Sequence, residues 1–291
     1  MKTPFLSLVA ALMFAICSPV AAQSSVWKAE LNGSVVYLGG TCHMLRAQDF
    51  PLPAEFDLAY AEAEELYFET EIDRLASMEA QQMLMAAGLF TDGSTLQDSV
   101  SEEAWAAIEK HCNANGLPVV AFAQMKPWMF AVTMAVLEWQ KMGAGLDGVD
   151  SHYNERAKAD GKATHGLEEF EEHLLFITSV GVGQESEFIL NTLRDVERAP
   201  TIIGELIEAW RSGDVEGIDE YFVAEMRAEF PDIYRTLILG RNQAWLSQIS
   251  ALFETPEVEL VLVGAGHFGG ENGLLALLRG AGVRIDQVIT D

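Results

Sequence analysis

Two hydrophobic periods alternate along this chain. Residues 26–31 and 34–39 read as strands around Asn32-Gly33, a dipeptide in which both residues tolerate positive φ, so a β-hairpin is predicted. After the Pro51-Leu52-Pro53 loop, Phe56, Ala59, Tyr60 and Ala63 recur at helical spacing and predict a helix over 54–65. Residues 66–70 are a short strand, and strand, helix, strand in that order predicts a parallel βαβ unit. From about 72 to 160 the period is helical, clearest over 77–87, 101–115 and 122–142, with Gly88, Gly116 and Pro118 as punctuation. A strand at 162–167 follows, then helices over 170–211 and on to 226, 231–239 and 241–253. The chain closes with a strand at 258–263, a helix at 271–279 and a strand at 283–289, a second βαβ-like unit.

The fold class read from this order is α/β: a central, mostly parallel sheet flanked by helices, with a large helical insertion at 72–160. No Pro/Ser/Gly-rich linker divides the chain, so 23–291 is expected to form a single domain. Met83, Met85, Met125, Met129, Met134 and Met142 lie in the helical stretch. They read as adaptable core, with a groove for an apolar or peptide ligand as the alternative.

Composition changes this picture in three places. Lys2, an apolar run over 5–16 and Val20-Ala21-Ala22 read as a secretory signal peptide over 1–22, so an exported, periplasmic or secreted protein is expected. Ile16 before Cys17 argues against a lipid anchor, and no later segment is long and uncharged enough to insert in a membrane. Export leaves Cys42 and Cys112, which form either one disulfide or two separate thiols. A formal net charge of −26 opposes nucleic-acid binding and favours divalent cations near the surface.

The candidate chemistry sits after two of the strands. Gly40-Thr41-Cys42-His43 and Gly264-Ala265-Gly266-His267 place a histidine at the same offset past similar apolar runs. In open parallel sheets ligands bind beyond the carboxyl ends of strands, where both imidazoles would project. Glu69, at the end of a third strand, completes a two-histidine, one-carboxylate set suited to a divalent transition metal of the Zn, Mn or Co class. Each histidine alone also reads as a cap in its turn, and Glu69 alone as one acid among several. His111, His152, His165 and His173 lack such a context and read as surface or structural.

The chain resembles the TraB/GumN/Tiki family, whose members carry two G-x-x-H motifs and an intervening glutamate. The resemblance rests on Tyr37 to His43, on Glu69 within Leu66-Tyr67-Phe68-Glu69-Thr70, and on Lys126-Pro127-Trp128. It continues through Gly148-Val149-Asp150, Gly161-Lys162, Gly166-Leu167-Glu168, Arg241-Asn242 and Val263 to His267. It implies a helix-flanked sheet similar to erythromycin-esterase and ChaN-like folds and, as in Tiki-type members, metal-dependent cleavage of a peptide or protein substrate. His43, Glu69 and His267 then become the metal ligands. Arg241 is a candidate for binding a substrate carbonyl or carboxylate, Glu168 for the general base, and Asp150 for support. Two other readings stay open: a metal-independent esterase-like hydrolase using His43 and Glu69, and a haem- or metal-binding protein without catalysis.

Overall fold

The computed structural model describes residues 22–145 and 147–290. The leader expected over 1–22 lies outside the described residues apart from Ala22. The strands are β1 (Ala22–Leu31), β2 (Ser34–Thr41), β3 (Leu45–Arg46), β4 (Glu65–Thr70), β5 (Ala144–Gly145), β6 (Ala163–Glu168), β7 (Glu259–Gly264) and β8 (Arg284–Thr290). Six of them form one sheet in the order β6-β4-β7-β2-β1-β8, while β3 and β5 pair separately. β2 pairs parallel with β7, β7 with β4, and β4 with β6. β1 runs antiparallel to both β2 and β8. Asn32 and Gly33 take positive φ and close the β1–β2 hairpin as their sequence predicts.

Side chains alternate across the strands and so divide the core into two layers. Tyr37, Leu66, Phe68, Leu260 and Leu262 pack on one face with Phe56, Tyr153 and Trp210. Val36, Leu38, Val261 and Val263 pack on the other with Trp245, Phe268, Leu274 and Leu278. Gly39 belongs to the first face, where a Cβ would stand 2.6 Å from Leu262 Cδ2, so its lack of a side chain lets β2 and β7 pack closely. A third core lies among helices: Ile108, Cys112, Phe130 and Met134 pack against Ile189, Leu193 and Val196. The helix Glu185–Ser212 joins this core to the sheet, where its Trp210 Nε1 donates to the Gly40 carbonyl at 2.7 Å.

Several local expectations shift. β2 and β4 are parallel, as the strand-helix-strand order predicts, but β7 from the far end of the chain lies between them. β7 and β8 likewise run in one direction with β2 and β1 between them. The helix expected over 54–65 is Ala54–Glu62, because Ala63 already takes extended backbone. The helix expected from 122 begins at Pro127, whose fixed φ and missing N–H suit the first helical position. The helix expected over 170–211 breaks between Thr178 and Glu185, where Gly181 and Gly183 take positive φ. The helix expected from 271 starts at Leu274. Cys42 and Cys112 are separate thiols: Cys42 Sγ donates to the Met44 carbonyl at 3.2 Å, and Cys112 is buried in the helical core.

Candidate active site

Four neighbouring parallel strands end at one edge of the sheet and deliver the site. In sheet order they supply Glu168 from β6, Glu69 from β4, Gly264 and then His267 from β7, and His43 just past β2. Thr41 is in register with Gly264, so the two G-x-x-H turns leave the sheet side by side. Beyond that point they diverge. Ala265–His267 coil into a 3-10 turn that buries His267, whereas His43 passes toward β3 with its imidazole 61% exposed.

Each imidazole is held through its Nδ1. His43 Nδ1 lies 2.8 Å from an Asp150 carboxylate oxygen, an acceptor, so Nδ1 carries a proton. Asp150 is placed by Gly148, where a Cβ would stand 2.3 Å from the His43 carbonyl oxygen, so only glycine permits this close approach. His267 Nδ1 lies 2.7 Å from Asn242 Oδ1. The Asn242 amide nitrogen donates to the carbonyls of His267 and Asn272, which assigns Oδ1 as the acceptor and puts the proton on His267 Nδ1. Both Nε2 atoms therefore point toward Glu69, at 3.8 Å from His43 and 4.0 Å from His267 to Oε1.

Glu69 is fixed from two sides. The Gly264 N–H donates to its Oε1 at 2.7 Å, and Arg241 Nη2 donates to its Oε2 at 2.5 Å. Arg241 opens the helix Arg241–Leu252, directly after the π-helical turn Arg235–Gly240. A second π turn, Asp219–Val223, faces the same pocket through Phe222. Such turns displace side chains from regular helical register and recur at functional sites. The guanidinium also forks onto Glu168, Nε to Oε1 at 2.7 Å and Nη2 to Oε2 at 3.0 Å, and stands over the Trp245 ring. Its Nη1 lies 3.3 Å from His267 Nε2.

Charge separates the two histidines. The Asp150 carboxylate, paired with Nδ1 at 2.8 Å, raises the open His43 ring to about 9. Burial pushes His267 down to about 3, since the Glu69 charge that favours its cation is offset by Arg241 and His43. Burial opposes the charge of Glu69, but Arg241 and the histidines hold its carboxyl well below the usual range. These groups floor a pocket of about 370 Å³ whose walls are largely apolar, among them Trp139, Leu206, Trp210, Phe222, Met226 and Ile238.

The structure thus brings His43, Glu69, His267 and Arg241 together at the pocket, with Glu168 behind them. It does not leave Glu168 free to act as a general base. Both its oxygens accept from Arg241, His173 Nδ1 lies 3.1 Å from Oε2, and Glu168 does not line the pocket. The six methionines of the helical stretch do not line the pocket either, whereas Met44 and Met226 do. His173, expected to be structural or superficial, belongs to the ion-pair network around Arg241, with Nδ1 3.5 Å from Nη2. Its position five residues after Glu168, one helical turn beyond a strand end, is the only sequence feature that marks it. Cys42 lines the pocket as a neutral thiol, pushed up to about 12 by burial.

The donor chemistry fits a divalent metal: two imidazoles with occupied Nδ1 atoms and one carboxylate, the outer-partner arrangement that metal-ligating histidines use. Among the described residues, no three His, Cys, Asp or Glu side chains are already drawn into a coordination set. Against known proteins, the TraB/PrgY/gumN family matches residues 25–287. No curated protein and no solved structure matches the chain.

Proposed function

The chain belongs to the TraB/PrgY/gumN family, and from that premise we propose that it is an exported, metal-dependent hydrolase of peptide bonds. One observation carries the reading. Two imidazoles from adjacent parallel strands, each with Nδ1 tied to an acceptor, turn Nε2 toward the same carboxylate on the floor of an apolar-walled pocket. His43, Glu69 and His267 would hold the ion. The ion would supply Lewis acidity toward a carbonyl and its attacking water.

The chain's own groups do the rest. Asp150 and Asn242 fix the two rings, and the Gly264 N–H and Arg241 fix Glu69, so little reorganisation accompanies reaction. Arg241 Nη1 lies 3.3 Å from His267 Nε2, and with that nitrogen turned to the ion, Nη1 would donate to a carbonyl oxygen as negative charge develops there. The apolar walls exclude bulk water and strengthen these interactions. In the net reaction the water oxygen bonds to the carbonyl carbon, the C–N bond breaks, and the amine nitrogen takes a proton.

A second reading is favoured by the His43–Asp150 pair, whose oriented imidazole opens to the pocket at Nε2 and, raised to about 9, would serve as a general base once deprotonated on the alkaline side. Without an ion, this pair beside Glu69 would serve ester or amide hydrolysis. Metal analysis by ICP-MS, paired with peptide-library cleavage, separates the two. The metal reading expects roughly one ion per chain, lost in His43→Ala and in His267→Ala, and cleavage abolished by EDTA. Full activity after exhaustive chelation would establish the metal-free pair instead.

A further inference from the structure

Resting on the hydrolase reading above, we propose that the pocket selects an internal stretch of peptide. A large apolar side chain beside the cleaved bond would fill it, and it would reject acidic side chains and a free C-terminal carboxylate.

The apolar half of the argument lies in the walls. The long helix contributes Leu206, Ile207 and Trp210, and the two π turns contribute Phe222, Leu237 and Ile238. Phe222 faces water at the rim, 54% exposed, and Leu206 and Leu237 are half-buried beside it. Exposed large apolar groups around a polar floor mark a surface that an apolar ligand would cover. Nothing in these walls offers a partner to a carboxylate, so an acidic side chain would lose its hydration uncompensated.

The charge half lies in the floor. Among the described residues Arg241 is the one Lys or Arg that lines the pocket, and the edge of its guanidinium bearing Nε and Nη2 is taken by Glu168 and Glu69. Recognition of a free carboxylate uses such an edge as a two-pronged donor, and here only Nη1 remains. Glu69, Glu168 and Asp150 bring three carboxylates to the network. The guanidinium edge that would fork onto a peptide's free carboxylate is already taken by two of them, so cleavage falls inside a chain or near its amino end.

The test uses two readouts on the purified protein. Calorimetric titration compares N-acetyl-Ala-Phe-amide, its Asp counterpart and N-acetyl-Ala-Phe as free acid. The Phe amide is expected to bind about 10-fold or more tightly than either of the others, the discrimination a hydrophobic subsite gives. Quenched peptides with Phe or Asp at one internal position, and with Phe as the free terminal residue, supply the cleavage readout. Met226→Glu and Phe222→Ala, both at the partly open rim, are expected to reduce the preference for Phe without loss of fold. Selective binding with no turnover would uphold the pocket and overturn the hydrolase reading. Turnover without selectivity, or removal of single residues from a free C-terminus, would uphold the hydrolase and overturn the pocket.

Discussion

His43 and His267 leave adjacent parallel strands at the same offset, yet the first imidazole is 61% exposed and the second 6%. Their partners differ as well: a carboxylate, Asp150, for His43 and a neutral amide, Asn242, for His267. The motif therefore specifies where a histidine leaves the sheet and leaves its charge to the elements packed against it. A carboxylate beside an open ring favours the cation, while burial against an amide and Trp245 favours the neutral base.

The largest expected contrast is between His267→Ala and His43→Ala. Both should lower kcat/KM by about 10²–10⁴-fold if both rings act in the reaction. His267→Ala should also destabilise the more, by about 2–4 kcal/mol, because it opens a buried cavity and leaves Asn242 Oδ1 unpaired, whereas His43→Ala loses only the pair of an open ring with Asp150. Urea melts read the difference, and equal losses of stability in the two variants would erase the asymmetry between the arms.

The glycines extend the contrast. At Gly264 a Cβ would stand 3.1 Å from Glu69 Oε1 and 3.3 Å from His43 Nε2, whereas at Gly40 it would meet Ser25 and Ala265. Gly264→Ala should cost on the order of 10²-fold in kcat/KM through displaced catalytic groups, with little change in stability. Gly40→Ala should instead cost about 1–3 kcal/mol through overpacking. A Gly264→Ala enzyme of unchanged activity would show that Glu69 is not held in its working position.

Stability should slope in opposite directions with pH in the two arms. His43 is raised from 6.5 to about 9, so its contribution is complete below about 6.5 and is lost as pH rises through 9. His267 is lowered to about 3, so its contribution is present above about 6.5 and is lost as pH falls toward 3. Glu69, with its carboxyl depressed, adds to the acid-side loss. Asp150→Asn should flatten the alkaline slope and leave the acid slope in place, as read by denaturation at a series of pH values. NMR titration of the two imidazoles assigns each slope to its ring. The smallest effect concerns Cys42 beside His43: reductant should leave the melting temperature unchanged within about 1 °C, because no bridge to Cys112 exists. A larger drop would mean that a disulfide braces the first arm.

Much of the fold was legible in local pattern. The Asn32-Gly33 hairpin, the apolar runs of β4 and β7 and the helix opening at Arg241 depend on turn chemistry and period, which neighbouring residues alone express. Less legible were elements whose limits depend on distant contacts. Two π turns look like ordinary helix in sequence, since π and α turns share composition and differ in how packing displaces one residue. The three candidate ligands were readable as strand-end residues. Glu168 was readable as part of the site, but its role was not, because nothing local reveals that Arg241 occupies both its oxygens.

By itself the sequence determined the family, the α/β class and the strand ends from which the chemistry would come. Each of these is written in short-range periodicity and in glycines that permit sharp turns. Only the tertiary structure decided that β7 inserts between β4 and β2 and brings His267 beside both Glu69 and His43. It alone gave one histidine a carboxylate and the other an amide, tied Arg241 Nε and Nη2 to Glu168 and Glu69, and set apolar walls around the floor. Some of those outcomes join residues more than a hundred positions apart in the chain, His43 with Asp150 and Glu69 with Arg241, and others span tens of positions, such as Arg241 with Glu168. Their charges are set by distance, burial and hydrogen bonding in space, which adjacency in sequence does not encode.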